Sequence, residues 1–152
     1  MPNLVESTLV ESLFSSLQAE KLVSISTVDF ETGGPNVSAV SWIYASDEST
    51  IQLAVTAKSR IVQNIENNEH VVVTLYANES VYSIHTTAVV KEKETDELPL
   101  KLALITLKII EVRDVMFYGA KICVEPRFEK TYDKEAAKKL DQQVMKLLKD
   151  IS

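Results

Sequence analysis

Glycine is scarce in this chain of 152 residues, which has 3 glycines, Gly33, Gly34 and Gly119. An average protein contains about 7% glycine. Two adjacent glycines and one distant glycine cannot form a Walker loop or a G-x-G-x-x-G turn, so nucleotide sites built on glycine-rich loops are excluded. A bound phosphate must therefore be held by side chains and the start of a helix.

Cysteine and long apolar runs are also missing. The single cysteine, Cys123, excludes an internal disulfide and a cysteine-based zinc site, and we expect it to be a small buried residue. His70 and His85 lie far from it in the sequence, so no metal site is expected. No apolar run exceeds four residues, so neither a membrane span nor a signal peptide is expected, and a cytoplasmic location is favoured.

The chain is acidic, with 16 basic and 22 acidic residues, a net charge of −6 and an isoelectric point near 5.0. Such a chain repels a phosphate backbone, so neither nucleic acid nor an anionic membrane is expected as a partner. Apolar residues make up 45% of the sequence, which is typical of a globular protein. The length predicts a single domain over residues 1–152.

The middle of the chain is rich in β-branched residues and alternates with a period of two, which predicts β-strands. Gly33 and Gly34 lie in one short turn between strands, and Asn78 and Glu79 lie in another. Six strands are predicted, over residues 22–29, 35–45, 50–55, 70–77, 80–93 and 104–118. Their short connections favour an antiparallel barrel, because a doubly wound fold needs a helix between most strands.

Three helices are predicted beside the barrel, which makes the fold mainly β with flanking α. An apolar stripe along residues 5–17 predicts an N-terminal helix that begins with a capping-box-like pair, Asn3 and Glu6. A short mid-chain helix is predicted over residues 59–67. A C-terminal helix is predicted from Asp133 onward, with one apolar face that is expected to pack on the barrel or on a second subunit.

The stretch from Thr56 to Arg60 carries the strongest chemical signal. Lys58 and Arg60 supply two cations, and Thr56 and Ser59 supply two hydroxyls, where a strand ends and a helix begins. This combination suits a phosphate monoester. In the alternative interpretation, the hydroxyls cap the helix and the two cations are solvated.

The stretch VTAKSRIVQNIENN, residues 55–68, resembles the phosphate-binding segment of the pyridoxamine 5′-phosphate oxidase-like FMN-binding split-barrel family. Residues 22–55 are similar to that family's opening hairpin and third strand, and YSIHTTAVVKEK, residues 82–93, is similar to its fifth strand. The resemblance implies a six-stranded antiparallel split β-barrel. It also implies a homodimer that binds FMN at the subunit interface.

The resemblance also suggests which residues bind the cofactor. Ser59 and Arg60 match the family's phosphate-binding Ser-Arg pair, and Thr56 falls near its threonine. Lys58 stands as an offset substitute, since the family often has lysine directly after the arginine and this chain has Ile61 there. A further three residues fall on the strand whose backbone commonly lines the isoalloxazine ring, and these are Val40, Ser41 and Trp42.

Two departures argue against pyridoxamine 5′-phosphate oxidase activity itself. The family's C-terminal Arg-x-His is replaced by Arg127-Phe128-Glu129, and Val81 stands where a flavin-binding glutamine is expected. The resemblance therefore implies an FMN-dependent oxidoreductase of unknown substrate, with no catalytic residue assigned. The alternatives are a dimeric binding or regulatory module that has lost flavin chemistry, and a variant that holds a deazaflavin or haem in the same cleft.

Three further residues carry weaker signals. His85 lies in a polar patch of a strand, where a hydrogen-bonded structural role is favoured over a role near the flavin. Phe117 and Tyr118 follow the last predicted strand, and burial against the C-terminal helix is expected for both.

Overall fold

The computed structural model describes residues 5–151 of the chain, in eight strands and three helices. The strands are β1 (Val5–Glu6), β2 (Val23–Val28), β3 (Pro35–Val40), β4 (Ile43–Asp47), β5 (Thr50–Thr56), β6 (His70–Ala77), β7 (Ser80–Glu92) and β8 (Leu102–Asp114). The helices are α1 (Glu11–Ser16), α2 (Arg60–Asn67) and α3 (Lys134–Asp150).

All eight strands belong to one antiparallel sheet in the order β3-β2-β6-β7-β8-β5-β4, with β1 added beside β8. Strand β8 is central, because it pairs with β7 along one edge and with both β5 and β1 along the other. The mainly β antiparallel fold with three helices is therefore confirmed. There are eight strands instead of six, since Ser41 and Trp42 divide the predicted strand 35–45 and β1 is an additional strand.

The sheet encloses a core of aliphatic side chains, including Ile25, Leu53, Val73 and Ile105, all fully buried. A second, smaller core lies between α3 and the outer face of β5 and β8, where the main contributors are Ala54, Leu102, Leu104, Val144 and Leu148. The predicted packing of the C-terminal helix on the barrel is thus confirmed. Strand β5 is buried on both faces because it separates the two cores.

Two predicted hairpin turns and the predicted cap of the mid-chain helix are confirmed. Gly33 has a φ of 77° in the β2–β3 hairpin, and Asn78 and Glu79 both have positive φ in the β6–β7 hairpin. Ser59 caps α2 by accepting a hydrogen bond from the backbone N–H of Ile61.

The predicted N-terminal helix is wrong at its start. Val5 and Glu6 form β1, which pairs with Arg113 and Val112, and α1 is limited to Glu11–Ser16. The end of β8 extends beyond β5 and offers a free edge, and hydrogen bonding to that edge outweighs the helical period. Val10 occupies the N-cap without a side-chain hydrogen bond. The proposed capping residue Asn3 lies outside the described residues.

Three predictions of burial are also wrong. Cys123 is exposed, and the side chains of Phe117 and Tyr118 are 71% and 90% exposed. These residues lie in the C-terminal connection, residues 115–133, which joins β8 to α3 and runs over the surface. Periodicity carries no information there, since the connection has neither helical nor strand structure.

Among residues 5–151, no helix is both long enough and apolar enough to span a membrane. The same part of the chain contains no group of three or more histidine, cysteine, aspartate or glutamate side chains arranged to hold a metal ion.

Candidate functional site

A groove of about 400 Å³ lies where the ends of β3 and β5 meet the start of α2. The C-terminal connection forms the remaining wall through Lys130 and Tyr132. The groove is lined by Ser38, Ala39, Val40, Ser41, Trp42, Ala54, Val55, Thr56, Ser59, Ile61, Lys130 and Tyr132. Five of the seven cofactor-binding residues predicted from the sequence lie in this lining.

The hydroxyl side of the groove is formed by Thr56 and Ser59. Thr56 is exposed at the end of β5, and Ser59 lies one residue before the first turn of α2. The backbone carbonyl of Ser59 accepts a hydrogen bond from the N–H of Val62, and the Ser59 Oγ accepts one from the N–H of Ile61. The hydroxyl proton of Ser59 is therefore available to a ligand. The positive end of the α2 dipole adds a preference for an anion.

Arg60 does not line this groove. Its Nε and Nη2 donate to the Asp29 carboxylate, and Nη2 also donates to Glu31 Oε1 at 2.6 Å. The guanidinium carbon lies 4.7 Å from the centre of the Phe30 ring, an arrangement typical of a cation–π contact. The Arg60 guanidinium is therefore held against the β2–β3 hairpin.

Asp29 explains why Arg60 is held so firmly. Its side chain is 10% exposed, and its carboxylate also accepts from the backbone N–H groups of Glu31 and Thr32. The bonds from Arg60, helped by the one from Thr32, hold the pKa of the Asp29 carboxyl well below its usual range. In turn, Asp29 and then Glu31 raise the pKa of Arg60 further above its already high value.

A buried amide fixes α2 to the same hairpin. Asn64 is fully buried, and its Nδ2 donates to Thr27 Oγ1 at 2.9 Å while its Oδ1 accepts from the backbone N–H of Phe30, also at 2.9 Å. Together with Arg60, this residue attaches one side of α2 to the end of β2. The start of α2, and with it Ser59, therefore has a fixed position beside the groove.

Lys58 lies in a separate hollow on the other side of Ser59. This hollow is shared with Glu66 and Lys93, which form an ion pair at 2.7 Å. Lys58 is exposed. The structure thus divides the predicted phosphate-binding stretch into three parts: the hydroxyls in the groove, Lys58 in the neighbouring hollow, and Arg60 against the hairpin.

The opposite wall contains the predicted ring-lining residues and a cluster of charges. Trp42 Nε1 donates to Asp141 Oδ1 at 2.8 Å, and the Ser41 hydroxyl donates to Glu20. Lys130 donates to both carboxylates, at 2.8 Å to Glu20 and 3.0 Å to Asp141. Burial lowers the pKa of Lys130, but the bonds to Glu20 and Asp141 outweigh burial, so its pKa is raised and it stays charged.

Lys130 and Tyr132 were not identified from the sequence. They lie in an irregular segment about 70 residues after Thr56–Arg60. The residues around them form no recognisable motif. The nearest signal is Arg127-Phe128-Glu129, considered above only as a departure from Arg-x-His. His85, by contrast, is exposed in the middle of β7 and does not line the groove.

Comparison with known proteins supports this architecture. Residues 9–112 match the family model for pyridoxamine 5′-phosphate oxidase. A protein from Lactobacillus delbrueckii, provisionally named as a pyridoxamine 5′-phosphate oxidase, has a similar structure with a TM-score of 0.61 and 22% identity. The alignment covers 74% of this chain and 98% of that one.

Other similar structures have names that point to different ligands. An F420 reductase aligns with a TM-score of 0.53 and 15% identity, over 66% of this chain and 95% of its own. The heme storage protein HutZ from Vibrio cholerae aligns with a TM-score of 0.52 and 15% identity, over 68% and 93%. No curated protein matches the sequence. Because the family model covers more than half of the chain, this protein belongs to the pyridoxamine 5′-phosphate oxidase family.

Proposed function

We propose that this protein is a homodimeric flavoprotein that binds FMN in the groove and acts as an FMN-dependent oxidoreductase. The observation that carries this proposal is the shape of the groove. It places the hydroxyls of Thr56 and Ser59 and the start of α2 in the same cavity as Val40, Ser41 and Trp42. These are the two sets of residues that the family resemblance assigns to the phosphate and to the ring.

The chemistry of the lining supports a flavin mononucleotide. The volume of about 400 Å³ falls within the range of small-molecule sites. Its anion-binding end combines two hydroxyls with a helix N-terminus. Much of the remaining lining is apolar, including Val40, Val55 and Ile61, and suits a flat heteroaromatic ring. The residues present therefore fit the cofactor.

The chain's own residues would bind and orient the cofactor, while FMN would supply the electron-transfer chemistry. Thr56 and Ser59 would donate hydrogen bonds to phosphate oxygens. The wall formed by Ser41 and Trp42 would fix the plane of the ring, and the groove would limit the access of water to one face. Arg60 would add no net positive charge to the groove, because Asp29 and Glu31 offset its guanidinium.

The proposed homodimer is supported by the apolar surface of the C-terminal connection. Phe117, Tyr118 and Val124 are each at least 70% exposed, and the edge strand β3 exposes Val37. Exposed apolar groups of this size mark interaction surfaces. We propose that a second copy of the chain covers them and that the groove lies at this interface. The mass of the protein in solution tests directly whether it is a dimer.

The proposed function is tested by titrating the protein with FMN and with riboflavin, which lacks the phosphate. The fluorescence of both flavins is expected to be quenched when they bind to the protein, and FMN is expected to bind more tightly than riboflavin. Thr56→Val removes one hydroxyl donor and is expected to weaken FMN binding about threefold to tenfold, with riboflavin binding unchanged. Thr8→Val, a half-buried position outside the groove, serves as the control. Absence of FMN binding to the unmodified protein would contradict the proposal.

The ion pairs of Arg60 favour a second candidate, a dimeric binding or regulatory module without flavin chemistry. With Arg60 committed to Asp29 and Glu31, the groove lacks the cation that the family resemblance assigns to the phosphate. This candidate expects a stable protein that ignores FMN. Adding a deazaflavin or haem in the same titration distinguishes it from a chain that uses the groove for one of those ligands.

A further inference from the structure

One wall of the groove lies outside the part of the chain that matches the family. The family model covers residues 9–112, whereas Lys130 and Tyr132 belong to the C-terminal connection. The matched range therefore includes the lining residues from Ser38 to Ile61 but not the wall formed by Lys130 and Tyr132.

Lys130 is, with Lys21, one of the two most enclosed ion-paired lysines among the described residues. Its side chain is 23% exposed, compared with 71% for Lys93 and 79% for Lys146. Its ammonium lies 5.6 Å from the centre of the Trp42 ring and 5.7 Å from that of Phe128. Lysine loses much side-chain entropy when it is fixed in this way, so strong contacts must hold it.

Those contacts connect three parts of the chain. Glu20 lies between α1 and β2, Asp141 lies on α3, and Lys130 joins both to the C-terminal connection. The sequence separation between Lys130 and Glu20 is 110 residues. A second ion pair, between Lys21 and Glu125 at 2.8 Å, also attaches the C-terminal connection to the segment before β2. The connection is thus attached to the barrel by its charges.

The carboxylates of Glu20 and Asp141 also hold the wall formed by Ser41 and Trp42. Glu20 accepts the hydroxyl of Ser41, and Asp141 accepts the indole N–H of Trp42. Without the Lys130 ammonium, these two half-buried carboxylates would face each other with no cation between them. Like charges in such a place repel each other and attract water, so Ser41 and Trp42 would lose their fixed orientation.

We infer that Lys130 is a positioning residue that sets the shape of the groove. It holds the Ser41–Trp42 wall and the Tyr132 wall at a fixed separation by bridging Glu20 and Asp141. The C-terminal connection thereby determines which ring system the groove accepts. The ligand in this inference rests on the proposed function, whereas the positioning of Trp42 does not.

Trp42 is the single tryptophan of the chain, so intrinsic fluorescence reports this wall directly in the ligand-free protein. In Lys130→Met, which keeps most of the length of the side chain but not its charge, we expect a shifted emission maximum and increased quenching by acrylamide. Lys130→Arg restores the charge and is expected to restore the emission. Lys146→Met removes an exposed ion pair of α3 and is the matched control. Unchanged Trp42 emission in Lys130→Met would overturn the inference.

Flavin titration forms the second part of the test. Lys130→Met is expected to weaken FMN and riboflavin binding equally, by about tenfold, because the wall contacts the ring and not the phosphate. An effect confined to FMN would contradict this role and indicate a phosphate contact. If the unmodified protein binds no flavin, the proposed function fails while the emission result still decides the role of Lys130. If Lys130→Met does not fold, Glu20→Gln removes the charge of the carboxylate that does not bond Trp42, and unchanged Trp42 emission in that variant would equally overturn the inference.

Discussion

Arg60 and Lys130 are two cations in similar surroundings that hold different parts of the molecule. Each bonds two carboxylates and lies over an aromatic ring: Arg60 over Phe30 and Lys130 over Trp42. Arg60 attaches α2 to the β2–β3 hairpin outside the groove, whereas Lys130 forms part of the groove. The comparison shows that a cation's partners, more than its position in a motif, determine where its charge acts.

The largest expected difference between these cations is in stability and fluorescence. Arg60→Ala leaves the Asp29 carboxylate without its cation, so we expect the midpoint of thermal unfolding to fall by several degrees with Trp42 emission unchanged. Lys130→Met is expected to change the emission strongly. Arg113→Ala removes an arginine of similar exposure whose side chain bonds Glu111 alone among the described residues, and it should alter neither quantity much. If Arg60→Ala also shifts the emission, the two regions are coupled and the comparison breaks down.

The pH dependence of stability sharpens the comparison on the Arg60 side. The pKa of Asp29 is lowered in the folded protein, whereas an unfolded aspartate has a pKa of about 3.9. The Asp29 carboxylate therefore stabilises the fold fully above that pH, and this contribution is lost as the pH falls towards the folded value. Between about pH 5 and pH 3, the thermal midpoint of Asp29→Asn should fall less steeply than that of the unmodified protein. Asp96→Asn, an exposed loop position, should follow the unmodified protein.

The smallest expected effect concerns whether Arg60 takes part in ligand binding. Glu31→Gln removes the more exposed of the two carboxylates that hold Arg60, since Glu31 is 61% exposed. If phosphate competes for the guanidinium, FMN binding should tighten about twofold to threefold, with no change for riboflavin. Equal affinities in Glu31→Gln and the unmodified protein would assign Arg60 to the hairpin alone.

The sequence predicted those features that depend on neighbouring residues. Ser59 as an N-cap, the Asn78–Glu79 turn and the helix after Asp133 each follow from a few adjacent side chains. It failed where distant partners decide. Val5 leaves a helical pattern because β8 offers a free edge, and Lys130 is placed by Glu20, which lies 110 residues away. No local period encodes such pairings.

The candidate site divides in the same way. Thr56 and Ser59 were found because a strand end followed by a helix start has a recognisable pattern. The orientation of Arg60 was not predictable, since the carboxylates that hold it lie about 30 residues earlier in a hairpin turn. Phe117 and Tyr118 follow the last predicted strand, which predicts burial against the C-terminal helix, yet both are largely exposed.

The central position of β8 also determines when the sheet can be completed during synthesis of the chain. Strands β1 and β8 pair although they lie about 100 residues apart, and β5 and β7 each have an edge that only β8 fills. A nascent chain that has not reached Leu102 therefore exposes open strand edges, which are templates for aggregation. The hairpins β2–β3 and β6–β7 can form as they emerge, but closing the sheet must wait until nearly three quarters of the chain has left the ribosome.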